Sequence, residues 1–212
     1  MYFGCNVTFA SLPVFLPTII NEMGSFSSVQ SNGLSAPPYL FCFFVIIGCA
    51  FASDKVRNRG AFVAANAFIA AIGFLIMAVT TKTAVRYFAL FLCVLIFVSV
   101  AIILAWVTNN SGTDSKRAGG LWILATGGQC GPILGTKVFP STEGPYYRKG
   151  MWICCGFCFF VFALATTLSF LLRMENRRRD KVYGKGTGVD AFDENVDAGS
   201  LGDEAPNFRY VC

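Results

Sequence analysis

Charged residues are absent from six long stretches of this chain, 1–21, 25–53, 61–81, 87–113, 118–136 and 150–172, and crowd into the segments between them. An α-helix needs about 20 apolar residues to cross the roughly 30 Å hydrocarbon core of a bilayer. The pattern therefore predicts an all-α membrane protein with six transmembrane helices, at about 1–20, 36–53, 61–81, 87–107, 118–139 and 150–172. Pro13 and Pro17 interrupt the first span, and proline is tolerated in a membrane helix where the freed carbonyl faces protein or a polar cavity. The Ser-rich stretch 21–35 reads as a loop or short surface helix, and Pro37-Pro38 as the first turn of the second span, where a missing amide costs nothing. The bundle is expected to occupy residues 1–173. The Gly- and acid-rich segment 174–212 is expected to be a disordered tail.

Composition agrees. Hydrophobic residues make up 55% of the chain and charged ones 14%, against about 25% charged in a soluble domain. The net charge of +5 is distributed at span ends, not as a basic, aromatic-interleaved surface, so no nucleic-acid partner is expected. Its bias sets orientation. One side holds Lys55, Arg57, Arg59, Lys116, Arg117, Arg173, Arg177, Arg178, Arg179 and Lys181, and the other Lys82, Arg86, Lys137, Arg148 and Lys149. The first side, with the tail, is expected to be cytoplasmic. The chain opens almost directly on an apolar run, without the basic lead and cleavage site of a signal peptide. That opening is expected of the later part of a longer protein.

Candidate chemistry is sparse. The chain has no His, and eight of its nine Cys (Cys5, Cys42, Cys49, Cys93, Cys130, Cys154, Cys155 and Cys158) lie inside the apolar windows, with only Cys212 outside. Thiolates are disfavoured in apolar surroundings, so these read as packing residues, and no metal, cofactor or catalytic residue is expected. Nothing resembles a nucleophile–base pair or a phosphate loop, so the chain is not expected to be an enzyme. No window carries a central Asp, Glu, Lys or Arg of the kind proton-coupled carriers use.

Two local features remain. Ser53-Asp54-Lys55-Val56-Arg57-Asn58-Arg59-Gly60 joins two spans. It reads either as a gating element, with Asp54 pairing to an arginine, or as an ordinary basic loop with Asp54 as a helix N-cap. Gly127-Gly128-Gln129-Cys130-Gly131-Pro132 promotes close contact and local unwinding of the fifth span. Its Gln129 amide requires a partner, which is either another helix or a substrate. Asn6 in the first span is a similar case, whereas Asn66 in the third reads as packing.

Four strings together resemble the carboxyl-terminal half of a major facilitator superfamily transporter, closest to the anion:cation symporter group of allantoate and nicotinate permeases. They are Ser11-Leu12-Pro13-Val14-Phe15-Leu16-Pro17-Thr18-Ile19-Ile20 with Ala36-Pro37-Pro38-Tyr39; the Ser53 to Gly60 connector; Trp106-Val107-Thr108-Asn109-Asn110 with Lys116-Arg117-Ala118; and Gly135 to Pro140 with Pro145-Tyr146-Tyr147-Arg148-Lys149-Gly150, then Phe208-Arg209-Tyr210-Val211. The resemblance implies one half of a major facilitator fold, a 3+3 inverted repeat, with substrate at the bilayer midplane between two such bundles. It implies Asn6, Trp106 and Gln129 as substrate-lining residues and Asp54, Arg57 and Arg59 as a cytoplasmic gate. The family carries Gly-Asn where this chain has Gly128-Gln129. The implied partners are a small organic anion, a proton, the lipid bilayer (the plasma membrane) and a missing amino-terminal six-helix half. The alternative is a truncated, transport-inactive six-span protein acting as a remnant or an interaction partner.

Overall fold

The structure, a computed structural model, describes residues 1–24, 27–144, 146–184, 205 and 208–212. The helices are α1 (Tyr2–Gly24), α2 (Ser28–Val56), α3 (Arg59–Val79), α4 (Thr83–Cys93), α5 (Ile96–Asn109), α6 (Asp114–Gln129), α7 (Gly131–Gly135) and α8 (Arg148–Tyr183), with a 3₁₀ turn at Ser141–Glu143. Among the described residues, five helical segments are long and apolar enough to cross a membrane, namely α1, α2, α3, the α4–α5 pair taken together, and α8.

The second helix starts earlier than the apolar run predicts. Ser27 caps it: the Ser27 hydroxyl accepts from the Gln30 amide at 3.3 Å, and the Gln30 side chain accepts from the Ser27 amide at 3.0 Å. This reciprocal box satisfies two otherwise unpaired N–H groups and carries the helix through the stretch expected to be a loop. Pro37 and Pro38 consequently lie inside α2, not in its first turn. Pro38 has no N–H to offer the Leu34 carbonyl four residues back. The Tyr87 hydroxyl donates to that carbonyl instead, at 3.0 Å, joining α2 to α4. Replacing Tyr87 with Phe is therefore expected to destabilise the bundle by about 0.5–1.5 kcal/mol. Pro38→Ala restores a local donor and should shrink that cost, which denaturant unfolding of the two single variants and the double variant would measure.

Helices α4 and α5 are one span with a tightened turn at Val94–Leu95, where the Leu95 and Phe97 amides bond three residues back at 3.2 and 3.1 Å. The Cys42 thiol of α2 donates to the Val94 carbonyl at 3.2 Å. The fifth expected span, 118–139, is broken at Cys130 into α6 and the five-residue α7. Pro132 withholds the amide that would continue the ladder to Gly128.

The core forms around α3, whose small face (Ala64, Ala67, Ala70, Ala71) is buried against α8, α4 and α5. Small residues let backbones approach closely. A Cβ at Gly73 would lie 2.8 Å from the Cys93 amide nitrogen and 3.0 Å from the Ala89 carbonyl oxygen. Polar side chains tie the same contacts: Ser99 donates to the Val63 carbonyl at 3.3 Å, and Cys155 to that of Ala71 at 3.4 Å. At the opposite end, the buried Arg86 donates to the Tyr146 carbonyl at 3.2 Å and stacks on its ring at 5.3 Å.

Helix α8 runs 36 residues, roughly 54 Å at 1.5 Å per residue, well past the expected end at 172. Glu175 pairs with Arg178 and Arg179 at 3.3 Å each along this extension, the spacing that supports an exposed helix. Residues 174–184, expected to belong to the disordered tail, are thus described in and just beyond helix. Residues 208–212 pack on the bundle, and the remainder of that tail apart from Ala205 lies outside the described residues. By contrast α2 and α6 expose large apolar side chains, including Phe44, Phe51, Trp122 and Ile123.

Candidate functional site

The six residues singled out by the sequence fall into two groups. Asn6 lies where α1 crosses the α6–α7 break, against the glycines on either side of Gln129 and Cys130. Asn6 is buried, and a Cβ at Gly128 would sit 2.8 Å from its Nδ2. A Cβ at Gly131 would lie 3.0 Å from the Asn6 Cβ and 2.7 Å from the Phe3 carbonyl oxygen. The glycines therefore exist here as contact surface, letting α1 lie against the broken helix. The Asn6 Nδ2 has no hydrogen-bond partner among the described residues. An unpaired buried amide costs about 1–3 kcal/mol, and such a group waits for water, a ligand or another chain. Neighbouring Gln129 is exposed on the bundle surface. An exposed amide within an apolar stretch is unfavourable against lipid and favourable against a polar cavity or protein.

The second group is built where the α2–α3 connector meets the ends of α5 and α8. Asp54 lies in the last turn of α2, and Asn58 is the N-cap of α3. Asp54 is therefore not the cap of the following helix. Its carboxylate accepts from the Arg59 guanidinium in a close ion pair, with the Arg59 side chain 12% exposed and that of Asp54 59%. With its amide oriented to satisfy both ends, Asn109 donates to the Ala105 carbonyl at 3.3 Å and accepts from Arg59 Nη2 and Nε at 3.0 and 3.2 Å. One guanidinium thus ties the end of α2 to the end of α5. Arg57 ends α2 with φ 51° and ψ 34°, a left-handed conformation costly for a residue with a Cβ. Its amide donates to the Asp54 carbonyl at 3.3 Å, so this connector is a fixed corner.

Trp106 belongs to this second group in the structure. It is buried, and its indole packs so tightly on α3 that a Cβ at Gly60 would lie 2.7 Å from the ring. Its Nε1 donates to the Val211 carbonyl at 2.7 Å. A cavity of about 330 Å³, lined in part by Tyr2, Trp106, Asn110, Leu124 and Tyr210, opens beside it. Asn109, Asn110 and Gly60 stand inside the strings read from the sequence but were given no site role there, and Asn176 was not noted. The first two lay beside Trp106 in plain view, but their partners are remote along the chain.

Over 99% of its length the chain is 30% identical to the high-affinity nicotinic acid transporter of Saccharomyces cerevisiae. It is 28% identical over 98% of its length both to the MFS-type transporter cnsO of Penicillium expansum and to the major facilitator-type transporter hxnP of Emericella nidulans. These relatives are fungal major facilitator transporters. The chain spans about two fifths of their length, 39%, 41% and 42% respectively. No protein-family model matches the chain, and no solved structure matches it.

Proposed function

We propose that this chain is the carboxyl-terminal six-helix half of a proton-coupled secondary transporter, of the anion:cation symporter type, for small organic anions or vitamins such as nicotinate, allantoate, biotin or pantothenate. In this reading α6 and α7 together make the fifth of six crossings, and their break at Cys130 is a functional discontinuity of the kind that lines transporter sites. The substrate-lining residues are Asn6 and Gln129, with Trp106 closing the site toward the tail side, and Asp54, Arg57 and Arg59 form the gate on that side. The basic bias favours a cytoplasmic location for this end, and the likeness to permeases of this type favours the plasma membrane for the carrier.

One observation carries the reading. A buried, unpartnered Asn6 amide lies against Gly128 and Gly131 at a helix break whose adjoining residue, Gln129, exposes its own amide, in a chain whose relatives are transporters. That pairing suits a polar path between two bundles better than a lipid-facing wall.

The test is uptake of labelled nicotinate, allantoate, biotin and pantothenate in yeast lacking its own permeases. Co-expression of the chain with an amino-terminal half from its own locus is expected to give uptake of one of them that collapses when the proton gradient is dissipated. The 212-residue chain alone is expected to give none, because alternating access requires two bundles to rock against each other. Gln129→Ala is expected to raise KM more than it lowers abundance. Uptake unchanged by Gln129→Ala and Asn6→Ala together would overturn the assignment of these residues.

A further inference from the structure

Residues 208–212 lie across the ends of α3, α5 and α8 as an extended peptide whose backbone is read by side chains. Asn176 of α8 takes both backbone groups of Tyr210: its Oδ1 accepts from the amide at 2.9 Å and its Nδ2 donates to the carbonyl at 2.8 Å. Asn110, at the end of α5, does the same for Val211, at 2.8 and 3.0 Å. Trp106 supplies the second donor to the Val211 carbonyl at 2.7 Å, filling both of its lone pairs. The Gly60 amide, in the first turn of α3, donates to the Cys212 carbonyl at 3.0 Å. Successive residues of the peptide are thus held by α8, α5 and α3 in turn, as a strand is held by its neighbours in a sheet.

Side chains add selectivity. Arg179 stacks over the Tyr210 ring at 4.8 Å and donates to its hydroxyl at 3.2 Å. Phe208 meets that ring edge-on at 5.1 Å, and Arg209 pairs with Asp180 at 2.8 Å.

The same two dipeptides build both the latch site and the gate. Arg59 binds Asp54 while the adjacent Gly60 binds Cys212, and Asn109 faces Arg59 while the adjacent Asn110 binds Val211. The peptide and the ion pair therefore grip the same two helix ends from opposite sides of one backbone step. A peptide in place holds α3 and α5 at the spacing that the Asp54–Arg59–Asn109 cluster needs, and its departure removes one of the two restraints.

We propose that residues 208–212 are an intramolecular latch that docks in a backbone-reading groove formed by Asn110, Asn176, Trp106 and Gly60 and stabilises the closed Asp54–Arg59–Asn109 corner. The docking stands apart from any transport activity, whereas a regulatory effect on gating rests on the transporter reading.

Two readouts on the full 212-residue chain in detergent test it, neither of which involves uptake. The first is the rate at which a maleimide labels Cys212, followed by mass spectrometry on the peptide that carries it. In the docked state the thiol is half-buried and its pKa is raised by that burial, with Arg173 and a hydrogen bond from Asn176 opposing. Asn110→Ala combined with Asn176→Ala is expected to speed labelling by about tenfold, since four hydrogen bonds to the peptide backbone and the 3.6 Å Asn176 bond to the Cys212 thiol are lost; Asn110→Ala alone, which leaves the thiol's own partner in place, is expected to speed labelling in the same direction. The second is hydrogen exchange at the Gly60 amide and through 57–62, expected to speed up in the same variant because Gly60 loses its acceptor. Equal labelling rates in parent and variant would overturn the docking. Faster labelling with unchanged exchange at Gly60 would overturn the coupling to the corner. Should the double variant lose helicity by circular dichroism, Arg209→Glu, which repels Asp180 without touching helix packing, replaces it under the same criteria.

Discussion

Gly131→Ala is expected to be destabilising, and Gly127→Ala, four residues away on the same broken helix, stabilising by up to about 1 kcal/mol. A methyl at Gly131 would lie 2.7 Å from the Phe3 carbonyl oxygen and 3.0 Å from both the Val7 nitrogen and the Asn6 Cβ. Two of those three atoms are backbone of α1 and cannot rotate away. The helices must separate by several tenths of an ångström, and overpacking of this kind costs about 1–3 kcal/mol. Gly135 repeats the approach one turn on, where a Cβ would meet the Val7 carbonyl oxygen at 2.5 Å, so α1 cannot pivot to escape. At Gly127 nothing lies within 4 Å, and alanine is the better helix former by about 1 kcal/mol. Thermal unfolding in detergent, with monodispersity by size exclusion, would check both. Equal melting temperatures for the two variants would mean that α1 does not rest on α7 as described. In an assembled carrier Gly131→Ala should also lower uptake, because the contact that it disturbs is the one that positions Asn6.

The apolar helices were legible because a span advertises itself by what it lacks. Charge-free windows coincide with α1, α3, the α4–α5 pair and the first two thirds of α8. The break at Cys130 was legible too, in the cluster of Gly127, Gly128 and Gly131 with Pro132. Hydropathy was silent where helices continue through polar sequence. The early start of α2 depends on the Ser27–Gln30 capping box, a signal of two side chains inside a stretch that otherwise reads as loop. The extension of α8 depends on Glu175 and its arginines at helical spacing, which resemble a tail when scored for apolarity alone. The position of Trp106 could not be read locally, since its partner Val211 lies 105 residues away. Likeness to a family pointed to Trp106 as a residue of interest, and the fold gave it a neighbour.

Replacing Asp54 with Asn in an assembled carrier is expected to lower the initial uptake rate by about fivefold while membrane abundance stays within about twofold. The two halves of that expectation have different physical sources. The Asp54 carboxylate is 59% exposed, and an exposed ion pair contributes at most about 1 kcal/mol to a fold, so insertion and abundance should hold. Arg59 is another matter, being 12% exposed and shared between Asp54 and Asn109. Without the carboxylate its charge keeps only neutral acceptors, which places the loss at the upper end of that range, about 1 kcal/mol. That loss falls on the closed corner alone, since in an open one Arg59 reaches solvent. A change confined to one of two states shifts their equilibrium and so shows in turnover. Arg59→Gln should lower uptake by a similar factor, and the double variant should lower it little further, because residues that act as one unit are not additive. Independent, multiplying losses would mean that Asp54 and Arg59 serve separate steps, and normal kinetics in Asp54→Asn would reduce the connector to an orientation signal. Because Gly60 and Asn110 extend this corner to Val211 and Cys212, the same carrier with Asn110→Ala should show a weaker dependence on Asp54. With the latch gone, the carboxylate has a looser corner to hold.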